Sequence, residues 1–472
     1  MVDHPDAENV VVFINLSLFW YAEGNFQRAI MFLGFATNIA WLLGMSAGQR
    51  DNESTLQAEI RRRRFWSCYL TSSFLSGARL LRVPGDRTSS TLLPCSEADF
   101  ASGGPVKICC TLRCTQVHLH DSIYAELIRA MGLWSDVISF IDPRNAERPE
   151  TKISQLYSLD SRITVALALV VNGPLGISPS TIAANVEASS LLNRIMLHII
   201  HHQCLCALHA SVVPSFSGRA ASNVEVASMS PNARQLSAQK ALAHANDISD
   251  LLAAALALSD WRQDTMPSFV AYAAYSACAI QSPFLWCKTT SIRHQTVRAI
   301  LANLHVIKVV GNHWASIRLL GRFAWCIYQA HASRPVHLED LPSRVDASSL
   351  CEPICIGPRT RTSILSNNTF VFNDDGSAAK GPADVEEDDS ATSTGHFRGD
   401  DLEVVIARVA NNVPAPLVVA NVDLLSPFSD EALFGGAFSG EDFNSETIGA
   451  SDLDMELDEW IMNLTSQGTD AT

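Results

Sequence analysis

The residues best suited to chemistry crowd into one short stretch: His198, His201, His202, Cys204 and Cys206. Imidazole and thiolate are the ligands zinc prefers, and His198 and His202, four apart, share one face of a helix. A zinc ion needs one or two further ligands on that face. The other candidates of the stretch fall elsewhere around the helix, so the spacing predicts packed side chains and no metal.

The sequence holds no G-x-S-x-G elbow, no G-x-x-x-x-G-K-[ST] loop, no G-x-G-x-x-G and no H-E-x-x-H. The expectation is a protein that is not an enzyme, with a helical enzyme or small-molecule sensor as the weaker alternative.

A second stretch, Glu59-Ile-Arg-Arg-Arg-Arg-Phe-Trp66, carries four consecutive arginines. Basic runs can contact phosphate or direct nuclear import. On a helix, however, successive residues point about 100° apart, so Arg61 to Arg64 make no single patch, and Phe65, Trp66 and Tyr69 bury part of the same helix. Direct contact with nucleic acid is not expected from this run.

The third stretch is the acidic end. Asn421–Thr472 holds 12 Asp or Glu and no Lys or Arg, and the window from Asn373 onward holds 22 acidic against 3 basic residues. Removing that window from the totals of 49 acidic and 34 basic leaves 27 and 31, so the net charge of −15 belongs to the tail and the body carries +4. Within the tail, Leu453, Leu457, Trp460, Ile461 and Leu464 fall on one face of a helix, with Asp452, Asp454, Glu456, Asp458 and Glu459 around the rest. Ser451 is a suitable N-cap. So short a helix is marginal alone, and its apolar face is suited to a partner's groove. The composition is that of an acidic activation domain.

These stretches must be positioned by helices. Apolar residues recur at helical spacing over Val10–Trp20, Phe26–Met45, Glu59–Leu81, Ser122–Ile141, Ile153–Val171, Thr181–Ser211, Ala233–Leu258, Pro267–Gln281 and Gln295–Ala332. Pro84, Gly85, Gly103, Gly104, Pro105, Gly173, Pro174 and Pro214 fall between them. Strand-like alternation is scarce, so the fold class is all-α. Ala29–Gly48 runs 20 residues without charge, but Thr37, Asn38, Ser46 and several small residues dilute it. It reads as a buried helix, and no membrane association is expected. From Ser333 to Ala420 prolines and acidic residues replace the apolar pattern, which predicts a largely disordered linker. The expected organisation is therefore a helical domain over 1–332, a linker over 333–420 and an activation-type tail over 421–472.

Four motifs in order resemble one family. Phe26–Met45 with Leu42-Leu43-Gly44, the run Glu59, Arg61, Arg62, Arg63, Phe65 and Trp66, the segment Leu93-Pro94-Cys95-Ser96-Glu97-Ala98-Asp99-Phe100, and Leu197–His209 followed by Val212-Val213-Pro214 are similar to the regulatory, or middle homology, domain of fungal zinc binuclear cluster transcription factors. The resemblance covers about residues 10 to 330. It implies an all-helical regulatory domain, a nuclear location, and pathway-specific control of metabolic genes. It also implies that the His and Cys of the fourth motif pack and bind no metal.

Two departures qualify the resemblance. The family's zinc cluster uses six cysteines ahead of the regulatory domain, whereas here the chain begins inside that domain and none of its 12 cysteines forms a C-x-x-C pair. No cofactor is therefore expected, direct DNA binding is doubtful, and DNA would be reached through a partner protein or a homodimer. An Asp-Arg pair often seen after the aromatic helix is replaced by Thr71-Ser72. The expected function is a transcriptional regulator whose tail recruits a coactivator or the transcription machinery. The alternative is an interaction protein deficient in DNA binding that sequesters a partner regulator. Free thiols and the acidic residues Asp3, Asp6 and Glu8 at the N-terminus fit a reducing compartment better than a secretory route.

Overall fold

Helices begin where a polar side chain closes the first turn. Asp6, Asn25, Ser96, Ser122 and Ser230 each accept a hydrogen bond from a backbone amide two or three residues on, supplying partners that the first turn of a helix lacks. The computed structural model describes residues 5–48, 50, 53–75, 91–103, 110–112, 122–142, 149–183, 188–218, 229–258, 266–334, 353–365, 371–373, 377–385 and 406–410. Among these the chain is all-α, and extended pairing is confined to two isolated bridges, Leu92 with Thr111 and Phe372 with Ala378.

In chain order the helices are α1 (Ala7–Ala22), α2 (Phe26–Leu42), α3 (Thr55–Leu75), α4 (Glu97–Ser102), α5 (Ile123–Ile141), α6 (Pro149–Val171), α7 (Pro179–Ala183), α8 (Ala188–Ala210) and α9 (Pro214–Ser217). After these come α10 (Pro231–Leu256), α11 (Ser268–Gln281), a 3₁₀ turn (Ser282–Trp286), α12 (Thr290–Gly311), α13 (Ala315–Ser333) and α14 (Pro358–Leu365). One expected helix is divided: Gln295–Ala332 breaks at Asn312–Trp314, and apolar periodicity runs through the break because α12 and α13 bury against the same core. Of the expected Thr181–Ser211, the described residues form α7 and α8.

Two helices form the centre. Every residue of α11 is buried, and so is α8 from Leu197 to Ala210. A helix covered on all sides has no use for a polar stripe. This explains the run of Ala271, Ala273, Ala274, Ala277 and Ala279, whose small side chains admit close neighbours. α11 is packed by α8, α10, α12, α13 and α14, while α8 is packed by α5, α6 and α10. A smaller core joins α1, α2, α3 and α5 through Phe13, Ile39, Met45, Phe65, Trp66 and Ile128.

Chain expected as linker contributes to this body. Ile354, Ile356, Ile364, Leu365, Val371, Phe372, Ala379, Val385 and Val409 are buried in the main core. Within 333–420 the described pieces are therefore part of the helical body, and the rest of the expected linker lies outside the described residues. The few apolar residues of these pieces find a ready surface on α11, where Tyr275 Oη meets Ser363 Oγ at 2.8 Å and Ser276 Oγ donates to the Ile364 carbonyl at 2.9 Å. Pro382 presses on the turn between α1 and α2, and Gln27 Nε2 donates to the Ala378 carbonyl at 3.1 Å.

No helix among the described residues is long and apolar enough to cross a membrane. The chain divides into two units, Met1–Val419 and Ala420–Thr472. The second unit, and with it Leu453, Leu457, Trp460, Ile461 and Leu464, lies outside the described residues.

Candidate functional site

The arginine run lies on α3, and each of its four side chains has an internal partner. Arg61 forms a two-pronged pair with Glu53 at 2.9 and 2.8 Å and donates to the carbonyls of Met45, Ala47 and Gly48 at 2.9 to 3.0 Å. It thereby fastens the turn after α2 and pulls the Glu53 carboxyl down to about 2. Arg62 pairs with Glu59. Arg63 reaches Glu59 at 3.0 Å, Glu97 at 3.0 to 3.1 Å and the Cys95 carbonyl at 3.1 Å, with its guanidinium 4.0 Å from the centre of the Phe100 ring. Arg64 meets Glu8 of α1.

Glu59 is the hub. It is wholly buried and also accepts the backbone amide of Cys95 at 3.0 Å. A carboxylate in that position is tolerated only because two guanidinium groups and an amide satisfy it. Trp66, also wholly buried, donates its indole N–H to the Leu92 carbonyl at 2.8 Å, and Leu93 and Pro94 are buried beside it. The motif around Glu59–Trp66 and the motif around Leu93–Phe100 are thus two halves of one joint.

The histidines of α8 take separate partners. His198 Nε2 lies 3.3 Å from both the Leu175 carbonyl and the Ile177 amide in the loop before α7. His201 Nδ1 donates to the carbonyl of Leu197 in its own helix at 2.8 Å, and burial pushes its imidazole down to about 4. Cys204 and Cys206 are wholly buried, which pushes both thiols well up. The His198 and His202 pair suggested by their spacing does not form. His202 instead faces α10, where its Nδ1 lies 3.0 Å from His244 Nδ1 and 3.3 Å from Asp247 Oδ2. His244 Nδ1 is also 3.3 Å from Asp247 Oδ2. Among the described residues these three side chains form the group able to hold a metal ion.

About two turns beyond His202, His209 organises a further cluster. Its Nε2 donates to Asp160 Oδ1 at 3.0 Å, Ser237 Oγ lies 3.3 Å from its Nδ1, and Lys240 Nζ donates to Asp160 Oδ2 at 2.6 Å. The contacts follow the acid, imidazole and hydroxyl order of a hydrolytic triad. Ser237 and His209 are buried, however, so the hydroxyl is closed to a substrate in this structure. The hydrogen bond from His209, reinforced by Lys240, holds the Asp160 carboxyl at about 2, and burial keeps the His209 imidazole below its ordinary range. The cluster ties α6, α8 and α10 together. A cleft of about 300 Å³ opens between α5 and α6, with Asp136 and Arg162 bonded to each other at 2.9 Å on its wall.

No protein-family model, curated protein or solved structure matches the chain. The functional reading rests on the residues themselves. Sequence spacing had singled out His198, His201 and His202 but not His244, Asp247, Asp160 or Ser237. Each of these belongs to a helix other than α8. Asp160 and Ser237 carry no local signature, and the available signal for the others is that His244 and Asp247 lie three apart on one helix.

Proposed function

We propose that this chain is a transcriptional regulator. Its helical body would serve as a regulatory domain of the kind found in fungal zinc cluster factors, and its tail as an acidic activation segment. The observation that carries the reading is the joint between Glu59–Trp66 and Leu93–Phe100. Two of the motifs on which the resemblance rests depend on each other through Glu59, Arg63, Cys95 and Glu97. Such a joint supports reading these two motifs as one unit.

The arginine run supports an indirect route to DNA. Arg61, Arg62 and Arg63 are committed to internal carboxylates and carbonyls, so binding phosphate would cost those partners. On this reading DNA is reached through a DNA-binding partner or a homodimer, in the nucleus. The tail recruits coactivator or transcription machinery through Leu453, Leu457, Trp460, Ile461 and Leu464. The genes controlled are metabolic and belong to one pathway.

The test is a fusion of residues 421–472 to an unrelated DNA-binding domain. Reporter activation that drops on Trp460→Ala supports the activator role, and silence of the unmutated fusion removes it. The sequestering interaction protein is the second reading, favoured by Phe19, Met31 and Leu42 standing exposed on α1 and α2. It predicts a silent tail together with repression when the full chain is co-expressed with its partner regulator.

A further inference from the structure

The geometry points to a divalent transition-metal site between α8 and α10, held by His202, His244 and Asp247. It goes beyond the regulatory reading above and does not depend on it.

The argument begins with the distances. Nδ1 of His202, Nδ1 of His244 and Oδ2 of Asp247 form a triangle with edges of 3.0, 3.3 and 3.3 Å. Nitrogen or oxygen ligands about 2.0–2.1 Å from a tetrahedral zinc ion stand about 3.3–3.4 Å apart along each edge. The side chains are therefore gathered close to the spacing at which one small ion would touch all three.

Hydrogen bonding alone serves this triangle badly. Each Nδ1 can hold one proton. If a single Nδ1 is protonated, its hydrogen is shared between the other imidazole and the carboxylate, and one of the three edges has no proton. If both are protonated, the two N–H groups oppose each other across 3.0 Å. A cation at the centre is attracted along all three directions at once. Each imidazole is then neutral, with its proton on Nε2.

The surroundings fit the same occupant. His202 is buried, with its Nδ1 turned toward His244 and Asp247 of α10. Asp247 is about half exposed, so the site opens to solvent on one side. That leaves the fourth position of a tetrahedral ion to water. The other nearby candidates are committed elsewhere, His198 to the Leu175–Ile177 loop and His201 to its own helix. The His244 and Asp247 spacing places both ligands on one face of α10, so the ion would staple α10 to the central helix α8.

The experiment uses the untagged full chain, stripped with a chelator, loaded with Zn²⁺ and dialysed. Metal content is then measured by mass spectrometry. The expected result is one zinc per chain. His244→Gln and Asp247→Asn, at a partly exposed and a half-exposed position, should keep the helical circular dichroism of the parent and weaken zinc binding by at least 10–100-fold, the order expected even for loss of a supporting residue. Loading with Co²⁺ should give the intense visible bands of a four-coordinate ion, absent in both variants. A chain that retains no metal overturns the proposal. So does zinc retained equally by parent and variants, which would mark an adventitious ion on other His or Cys residues. His202→Asn is a further check, and if it fails to fold the other two variants still decide the matter.

Discussion

The wholly buried carboxylate of Glu59 accepts the backbone amide of Cys95 at 3.0 Å, across 36 positions of sequence. It binds Arg62 and Arg63 at the same time, so one side chain fixes α3, its arginines and the segment leading into α4. Glu59→Ala should therefore strand two partly buried guanidinium groups and destabilise the chain by about 3–5 kcal/mol. Arg64→Ala, whose partner Glu8 is mostly exposed, should cost less than about 1 kcal/mol. Urea unfolding followed by circular dichroism measures both. Similar losses in the two variants would contradict the hub.

Gly24 lies at φ +78°, and a Cβ placed there would come within 2.8 Å of Pro382 Cδ. Two separate costs follow for Gly24→Ala. The left-handed backbone costs about 1–2 kcal/mol, and the crowding of Pro382 adds roughly 1–3 kcal/mol. Combining Gly24→Ala with Pro382→Ala should recover the second part alone. A double-mutant cycle in thermal unfolding reads this directly, and additive losses would show that Pro382 does not press on the turn.

His331 is wholly buried against Trp286, neither ring nitrogen bonds a protein atom, and burial pushes its imidazole from 6.5 down to about 4. A depressed histidine takes up its proton more readily when unfolded. Stability is therefore full above about pH 6.5 and falls as the pH drops toward 4. His331→Leu should stabilise the chain at pH 7 by about 1–3 kcal/mol, since it removes an unbonded polar group. It should also remove on the order of 3 kcal/mol of the acid-induced loss between pH 6.5 and 4. Melting curves at pH 7 and pH 4.5 decide the point, and a variant as acid-sensitive as the parent would refute it.

Asp160 carries the opposite sign of perturbation. Its carboxyl is held at about 2 by His209 and Lys240, below the ordinary 3.8. Its contribution is therefore present above about pH 4 and fades as the pH falls toward 2. Asp160→Asn should cost about 1.5–3 kcal/mol at pH 7, the range for hydrogen bonds to a charged group. It should also flatten the pH dependence between 4 and 2. Equilibrium unfolding across that range gives the slope, and an unchanged slope would show that the cluster does not brace α6, α8 and α10.

The sequence by itself determined most of what is local. Helical periodicity gave the all-α class, and Ser122, at the head of the expected Ser122–Ile141, marks a helix start because a cap bonds within its own first turn. The asymmetry of charge, with the body at +4 and the acid at the end, is likewise a property of the chain alone. Tertiary structure decided which of these residues meet. His202 shares a helix face with His198 in the sequence, where packing and no metal were expected, and only the packing of α10 on α8 supplies His244 and Asp247. Glu59 stood out in the sequence only as part of a motif, and the packing of Cys95 over it makes it a hub. Periodicity also ran straight through the break at Asn312–Trp314, because α12 and α13 bury their apolar faces in one core. The physical reason is common to all three cases. Spacing along a helix fixes which side chains share a face, whereas the partner across that face is set by how whole helices exclude water against one another.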